Sequence, residues 1–384
     1  MINVAIIGTG AISDIHIQAF QTFPDRCRVT ALVDQDLELA RQKAEGYDLD
    51  AIIFGSWQAM LDDTDVDLAV ICLPPFIHAA ATVDLLDAGV NVLLEKPMAP
   101  TLAECDVILA AAERSGKLLS VVAQNRFKTP MMKLKQVLDS GMIGKILHAQ
   151  VDSYWWRGAS YYDLWWRGTW EKEGGGCTLN HAVHHIDLFQ WMMGKPDEVQ
   201  AVVANLNHGN SEVEDFSTTV VRYADGRLGQ LTASLVHHGE EQRFTVQGER
   251  ASVSAPWKVL ASTPRDNGFP DPNPVLASEI DEFYASLPDI KYDGHVGQID
   301  NVLGALEGEQ ELLIDGVQGR NTIELVTAIY QSGFSGERVT LPLLPDSPFY
   351  TQEGVLANAP HFHEKTHSVD GFADDSITLG SEYK

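Results

Sequence analysis

No apolar run in this chain approaches the ~20 residues that a bilayer-spanning helix needs. Met1-Ile2-Asn3 leads straight into a strand, with no leader-like segment expected before it. Basic residues are scarce: 27 Lys and Arg stand against 54 Asp and Glu, a formal net charge of -27. Nucleic acids and anionic membranes both require a basic footprint, so neither is an expected partner. Cysteine is scarcer still. The four (Cys27, Cys72, Cys105 and Cys177) show neither CxxC nor metal-finger spacing and read as free thiols, which predicts a cytoplasmic protein. The segment His181-Ala182-Val183-His184-His185 lacks the glutamate of a zinc HExxH helix, and no other ligand cluster is evident, so no metal is expected. What remains is small-molecule chemistry on a chain of 384 residues, long enough for two cores.

The first third alternates strand and helix. Val4–Ile7 is an apolar strand followed at once by Gly8-Thr9-Gly10-Ala11-Ile12-Ser13 and a helix. A glycine turn in that place lets backbone N–H groups and the helix dipole face a pyrophosphate, and Ser13 is a small substitute for the third glycine. The next strand, Val29–Val33, ends in Asp34, an acid suited to an adenosine ribose and repellent to a 2′-phosphate. This favours NAD over NADP. Strands at Leu68–Cys72, Val92–Leu94 and Leu118–Val122, separated by helical segments, predict a doubly wound parallel sheet over residues 1–123. The strand Val92–Leu94 ends in Glu95-Lys96-Pro97, which puts an amine where open α/β sheets hold their ligands.

Beyond Gln124 the pattern changes. A helix over Pro130–Ser140 and a strand over Lys145–Tyr154 are followed by strands at Val199–Asn207, Phe216–Tyr223, Leu228–Leu235 and Gln242–Gln247. These predict a C-terminal α+β domain with a mostly antiparallel open sheet, over residues 124–345. One of its faces suits a homo-oligomer, a dimer or a tetramer. Pro256–Pro274 reads as an excursion, and residues 346–384 as a tail of little periodicity whose three histidines (His361, His363 and His367) are incidental.

Gly174-Gly175-Gly176 opens a segment that reads as one helix running to Gly194. At about 100° per residue, Asn180, His184, Asp187 and Trp191 fall within roughly 60° of one another. An amide, an imidazole and a carboxylate thus share one face, while His181 and His185 point away and read as structural. Upstream, Tyr154–Trp170 holds five of the eight tryptophans with Arg157 and Arg167. Most of these rings read as packing. Tyr162 and Arg167, with Thr169, are the expected pocket edge, and two arginines in an acidic protein favour a substrate bearing a carboxylate or phosphate.

The glycine turn, Asp34, Glu95-Lys96-Pro97 and the spacing Gly174–Asn180–His184–Asp187 together resemble the Gfo/Idh/MocA oxidoreductases, over most of the chain. The resemblance implies an N-terminal Rossmann domain and hydride transfer between NAD and a secondary alcohol or carbonyl of a sugar, polyol or sugar acid. It implies Lys96 and His184 as the catalytic pair, with Asn180 beside them where the family commonly has Asp. The asparagine resembles the branch containing sugar-nucleotide 3-dehydrogenases. Cofactor contacts would come from Gly8, Thr9, Gly10, Ala11, Ile12, Asp34, Leu73, Pro74, His78, Glu95, Lys96, Gln124, Trp165 and Arg167. Substrate contacts would come from Lys96, Arg126, Arg157, Tyr162, Arg167, Asn180 and His184. Which of Lys96 and His184 takes the proton is left open by the sequence. NAD-assisted glycoside cleavage and a non-catalytic sugar sensor are the rival expectations.

Overall fold

Six apolar segments pair into the parallel sheet that the alternation predicts. In a computed structural model, which describes residues 1–372, they are β1 (Ile2–Ile7), β2 (Cys27–Val33), β3 (Ile52–Phe54), β4 (Leu68–Ile71), β5 (Asn91–Leu94) and β6 (Leu119–Val121). The helices between them are α1 (Ala11–Gln21), α2 (Leu37–Gly46), α3 (Trp57–Asp63), α4 (Pro75–Asp87) and α5 (Leu102–Ser115). The strand order is β3-β2-β1-β4-β5-β6, so the winding reverses between β1 and β4 and opens a crevice at their carboxyl ends. Val4–Ile7 and Leu68–Ile71 are fully buried, as strands covered by helices on both faces must be.

The second part contains α6 (Thr129–Asp139), β7 (Ile146–Tyr154), α7 (Cys177–Asn180), α8 (Val183–Met193), β8 (Glu198–Ala204), β9 (Phe216–Arg222), β10 (Leu228–Ser234) and β11 (Gln242–Gly248). It continues with β12 (Ala251–Ala255), β13 (Lys258–Pro264), β14 (Pro270–Pro272), α9 (Pro274–Ser286), α10 (Gly294–Leu306), α11 (Gly316–Ser335), β15 (Val339–Thr340) and α12 (Gln352–Asn358). The sheet runs β14-β13-β12-β11-β7-β10-β9-β8-β15, antiparallel except where β7 meets β10. The Pro-rich stretch after Ala255 is therefore not an excursion. It forms the hairpin β13–β14 at the sheet edge, the place where proline is tolerated.

Two helices tie the parts together. Ile299, Val302 and Leu303 of α10 join Ile17 and Phe20 of α1 in one core, so the chain returns to the first sheet after building the second. On α11, Gly319 lies against Val121 of β6 and Gly333 against Val203 of β8, so this helix crosses from one sheet to the other. Among the described residues no helix is long and apolar enough to cross a membrane.

The sequence left the placement of the tail open, and its described part is ordered. After α12 it folds back on the aromatic segment of its own chain: Trp170 Nε1 donates to Pro360 O at 3.0 Å, and Trp165 N to Val369 O at 2.9 Å. His367 pairs with Asp163 at 2.8 Å.

Candidate active site

The glycine turn is shaped by close packing on one side and space on the other. A Cβ on Gly8, whose φ is +95°, would lie 2.7 Å from Cys72 O, so the turn abuts the end of β4. Gly10, by contrast, has nothing within 4 Å of its Cβ position, and no side chain caps α1, whose first residues are Ala11 and Ile12. Asp34 is held at the end of β2 by Thr9 N and Oγ1, at 2.7 and 2.9 Å, and by Asp36 N at 2.9 Å. A carboxylate offers more acceptor sites than these three, which leaves room for a ribose hydroxyl. Ser13 Oγ donates to Gly10 O at 2.7 Å and closes the turn as the third glycine would.

Around the crevice, Leu73 packs on the Gly8 turn and Pro74 precedes α4. Trp165 reaches across to Phe76 of α4, ring to ring at 6.2 Å. Gln124 Oε1 is buried at the end of β6 without a hydrogen-bond partner. An uncapped helix, open space above Gly10 and an orphaned amide oxygen fit a dinucleotide. His78 is different: Nδ1 bonds Pro97 O and Nε2 bonds Leu73 O, each at 2.8 Å, so both nitrogens brace the loops instead of facing the crevice.

Lys96 emerges from the end of β5. Its N–H donates to Glu95 Oε2 at 3.0 Å, while Glu95 Oε1 meets His16 Nε2 of α1 at 2.7 Å. Burial pushes the Glu95 carboxyl up, but the His16 hydrogen bond and the surrounding positive charge reverse this and bring it down to about 2. His295 of α10 lies 3.9 Å from the same carboxylate. The fold thus assembles a donor set, His16–Glu95–His295, that the sequence did not show, because its members come from three distant segments. His16 and Glu95 already satisfy one another.

His184 and Asp187 share a face of one helix and line one cavity, whereas Asn180 belongs to a separate short helix. The expected single helix is broken at His181–Ala182 into α7 and α8, and the break separates Asn180 from the other two. Asn180 turns its amide nitrogen onto Gly175 O at 2.8 Å, and its backbone carbonyl accepts from Lys96 Nζ at 3.0 Å. Asp187 accepts from Arg126 Nε and Nη2 at 2.8 and 2.7 Å, in a pair that is almost wholly buried. Arg126, an expected substrate ligand, is therefore committed to Asp187 and to Leu313 O at 2.9 Å, and positions α8. His184 and Lys96 do come together, lining one cavity with Val122, Ala123, Thr322 and Ile323. Burial, with Lys96 close by, holds the His184 imidazole well below its usual range, so it is neutral. Burial also lowers the Lys96 amine.

The second glycine turn is packed throughout. A Cβ on Gly176 would sit 1.8 Å from Glu214 O, and one on Gly175 would sit 2.2 Å from the Tyr330 hydroxyl. The Glu214 carboxylate accepts from Gly176 N, Thr178 N and Tyr330 Oη, each at 2.9 Å, and burial raises it to about 7. This acid holds the start of α7, and hence the carbonyl that anchors Lys96.

The aromatic segment contributes other residues than those expected. Tyr162 is buried, with its hydroxyl on Glu214 O at 3.4 Å, and cannot form a pocket edge. The neighbouring Tyr161 has the Arg167 guanidinium 4.2 Å from its ring, and the same guanidinium lies 4.2 Å from the ring of Trp166. Arg167 Nη1 pairs with Glu173 at 2.9 Å, and Arg157 Nη1 with Glu240. Thr169 accepts from Lys172 N at 3.3 Å and serves the turn. His181, read as structural, lies between Trp155 and Tyr161, at 5.7 and 5.5 Å between ring centroids. His181, Tyr161, Glu173 and Glu214 carry no motif. Only the adjacency of His181 to Asn180 hinted at any of them.

A doubly wound sheet with an open glycine turn, and a lysine–histidine pair at the ends of its strands, defines an NAD-linked oxidoreductase. The chain belongs to the Gfo/Idh/MocA family. Residues 2–123 match the oxidoreductase family's NAD-binding Rossmann fold, and residues 131–254 match the GFO/IDH/MocA C-terminal domain. The WlbA dehydrogenase of Bordetella pertussis, solved with NADH and UDP-GlcNAcA, is 30% identical with a TM-score of 0.77, over 89% of this chain and 98% of that one. The D-glucoside 3-dehydrogenase of Escherichia coli is 24% identical over 88% of this chain and 97% of its own. The levoglucosan dehydrogenase of Pseudarthrobacter phenanthrenivorans is 25% identical over 66% and 73%.

Proposed function

We propose that the protein transfers a hydride between NAD and a secondary alcohol or carbonyl of a sugar or polyol. The observation that carries this is Lys96 and His184 lining one cavity at the carboxyl ends of β5 and β6, strands of the sheet whose first turn is open at Gly10. The bound nicotinamide supplies the hydride acceptor or donor. His184, held neutral, takes the hydroxyl proton during oxidation and returns it during reduction. Lys96, tethered to Asn180 O, keeps N–H donors for the same substrate oxygen and stabilises negative charge as it develops there. Asn180 serves through its backbone and braces the glycine turn with its amide. Gly8, Thr9, Gly10, Ala11, Ile12, Asp34 and Gln124 hold the dinucleotide in this reading.

A second reading, oxidation of a sugar nucleotide, is favoured by the similarity to a dehydrogenase solved with UDP-GlcNAcA. A screen of sugars, polyols, sugar acids and sugar nucleotides for NADH formation tests both. Turnover with free sugars selects the first, and turnover confined to nucleotide conjugates selects the second. Substrate cleavage without accumulation of NADH would refute both in favour of NAD-assisted cleavage.

A further inference from the structure

We infer that the cleft beside Lys96 is built to grip an oxyanion, a carboxylate or phosphate on the sugar itself, with the Nε edge of Arg167 and the ring of His181. The inference rests on the dehydrogenase reading for the placement of the substrate, but its support comes from different atoms. Arg167 Nη1 is taken by Glu173 at 2.9 Å, whereas Arg167 Nε is buried with no hydrogen-bond partner. That nitrogen belongs to the side of the guanidinium fork that binds carboxylates and phosphates bidentately. His181 is more than nine-tenths buried, and its Nδ1 likewise has no partner. Most buried polar atoms in folded proteins find a partner, and these two, on side chains that both touch the Tyr161 ring, mark a place where a ligand completes the bonding.

The charges agree. Lys96, Arg157 and Arg167 all lie near enough to His181 to disfavour its protonation, after burial itself. Arg157 and Arg167 also act on Lys96. Three cations thus act on His181 in a chain whose net charge is -27. Glu173 pairs with Arg167, and Glu240 with Arg157. The Tyr161 ring, stacked under Arg167, fixes the guanidinium plane and offers a face to a sugar ring.

The test uses the NAD-loaded full chain with matched substrates: a neutral pyranose, its uronic acid and its 6-phosphate. Charge-assisted hydrogen bonds predict that kcat/KM for at least one anionic substrate exceeds that for the neutral sugar by ~10-fold or more. The uronic acid and phosphate arms tell the two sources of the oxyanion apart. Arg167→Lys keeps a cation for the buried Glu173 and removes the Nε edge, so it guards against misfolding. It should collapse the anionic-to-neutral ratio, mainly through KM, and His181→Gln should lower it less. Equal use of neutral and anionic sugars by the wild type would overturn the inference and leave the dehydrogenase reading standing. If no sugar yields NADH, that reading fails, and tryptophan fluorescence then decides on the oxyanion site. Saturable quenching by the uronic acid or phosphate that Arg167→Lys abolishes would support it, and no quenching would overturn it.

Discussion

Two glycine turns lie at the site, and they use glycine for opposite reasons. Above Gly10 there is open space, and its backbone, at φ -69°, is one that any residue can adopt. At Gly174, Gly175 and Gly176 the place of each Cβ is already filled by Pro100, Tyr330 and Glu214, at 2.7, 2.2 and 1.8 Å. Gly10 leaves room for a ligand to approach, whereas Gly174–Gly176, like Gly8 against Cys72 O, leave room for the protein. The contrast separates residues whose loss removes binding from those whose loss removes structure.

Gly176→Ala should break the second turn outright. Its methyl would meet backbone rather than a movable side-chain tip, an overpacking that costs about 3 kcal/mol or more. The expected outcome is loss of cooperative unfolding or a steep fall in Tm by calorimetry; near-wild-type stability would erase the contrast. Lys96→Met and His184→Ala should leave Tm nearly unchanged and lower turnover ~100-fold or more. Their pH–rate profiles separate the roles: His184→Ala should remove the proton-acceptor limb, and Lys96→Met should preserve it.

Glu214→Gln sharpens the comparison through pH. The folded carboxyl, at about 7, lies above its ordinary 4.5, so the folded state keeps a proton that the unfolded chain releases between those values. This group's contribution to stability is therefore greatest below pH 4.5, falls as pH rises to about 7, and is flat beyond. Urea unfolding at pH 5 and 7.5 should show that fall, of order 2 kcal/mol, in the wild type and not in the variant. An identical slope in both would show that Glu214 is not the titrating group. The smallest structural effect is expected at the first turn. Gly10→Ala should change stability by less than about 0.5 kcal/mol, yet raise KM for NAD several-fold, because its methyl occupies the approach to the helix N-terminus.

The legible parts were those set by local pattern. Continuous apolar strands, the glycine turn and Asp34 announced the dinucleotide unit, because a strand buried on both faces has no polar residues to disguise it. Lys96 and His184 were singled out through their motifs, and paired through the resemblance to the family. The Pro-rich hairpin β13–β14 was not, since edge strands carry no apolar alternation and tolerate proline.

By itself, then, the sequence determined which residues carry the chemistry-bearing groups and which strand ends present them. The tertiary structure decided which of those groups are free to act. Helical periodicity put Asn180, His184 and Asp187 on one face; the break at His181 gave Asn180 to the glycine turn, and Arg126, from a distant segment, took Asp187. It also brought His181 beside Arg167, and Glu214 under the turn that anchors Lys96. The physical reason is that a buried polar group must find a partner, and that partner comes from whichever distant segment packs against it.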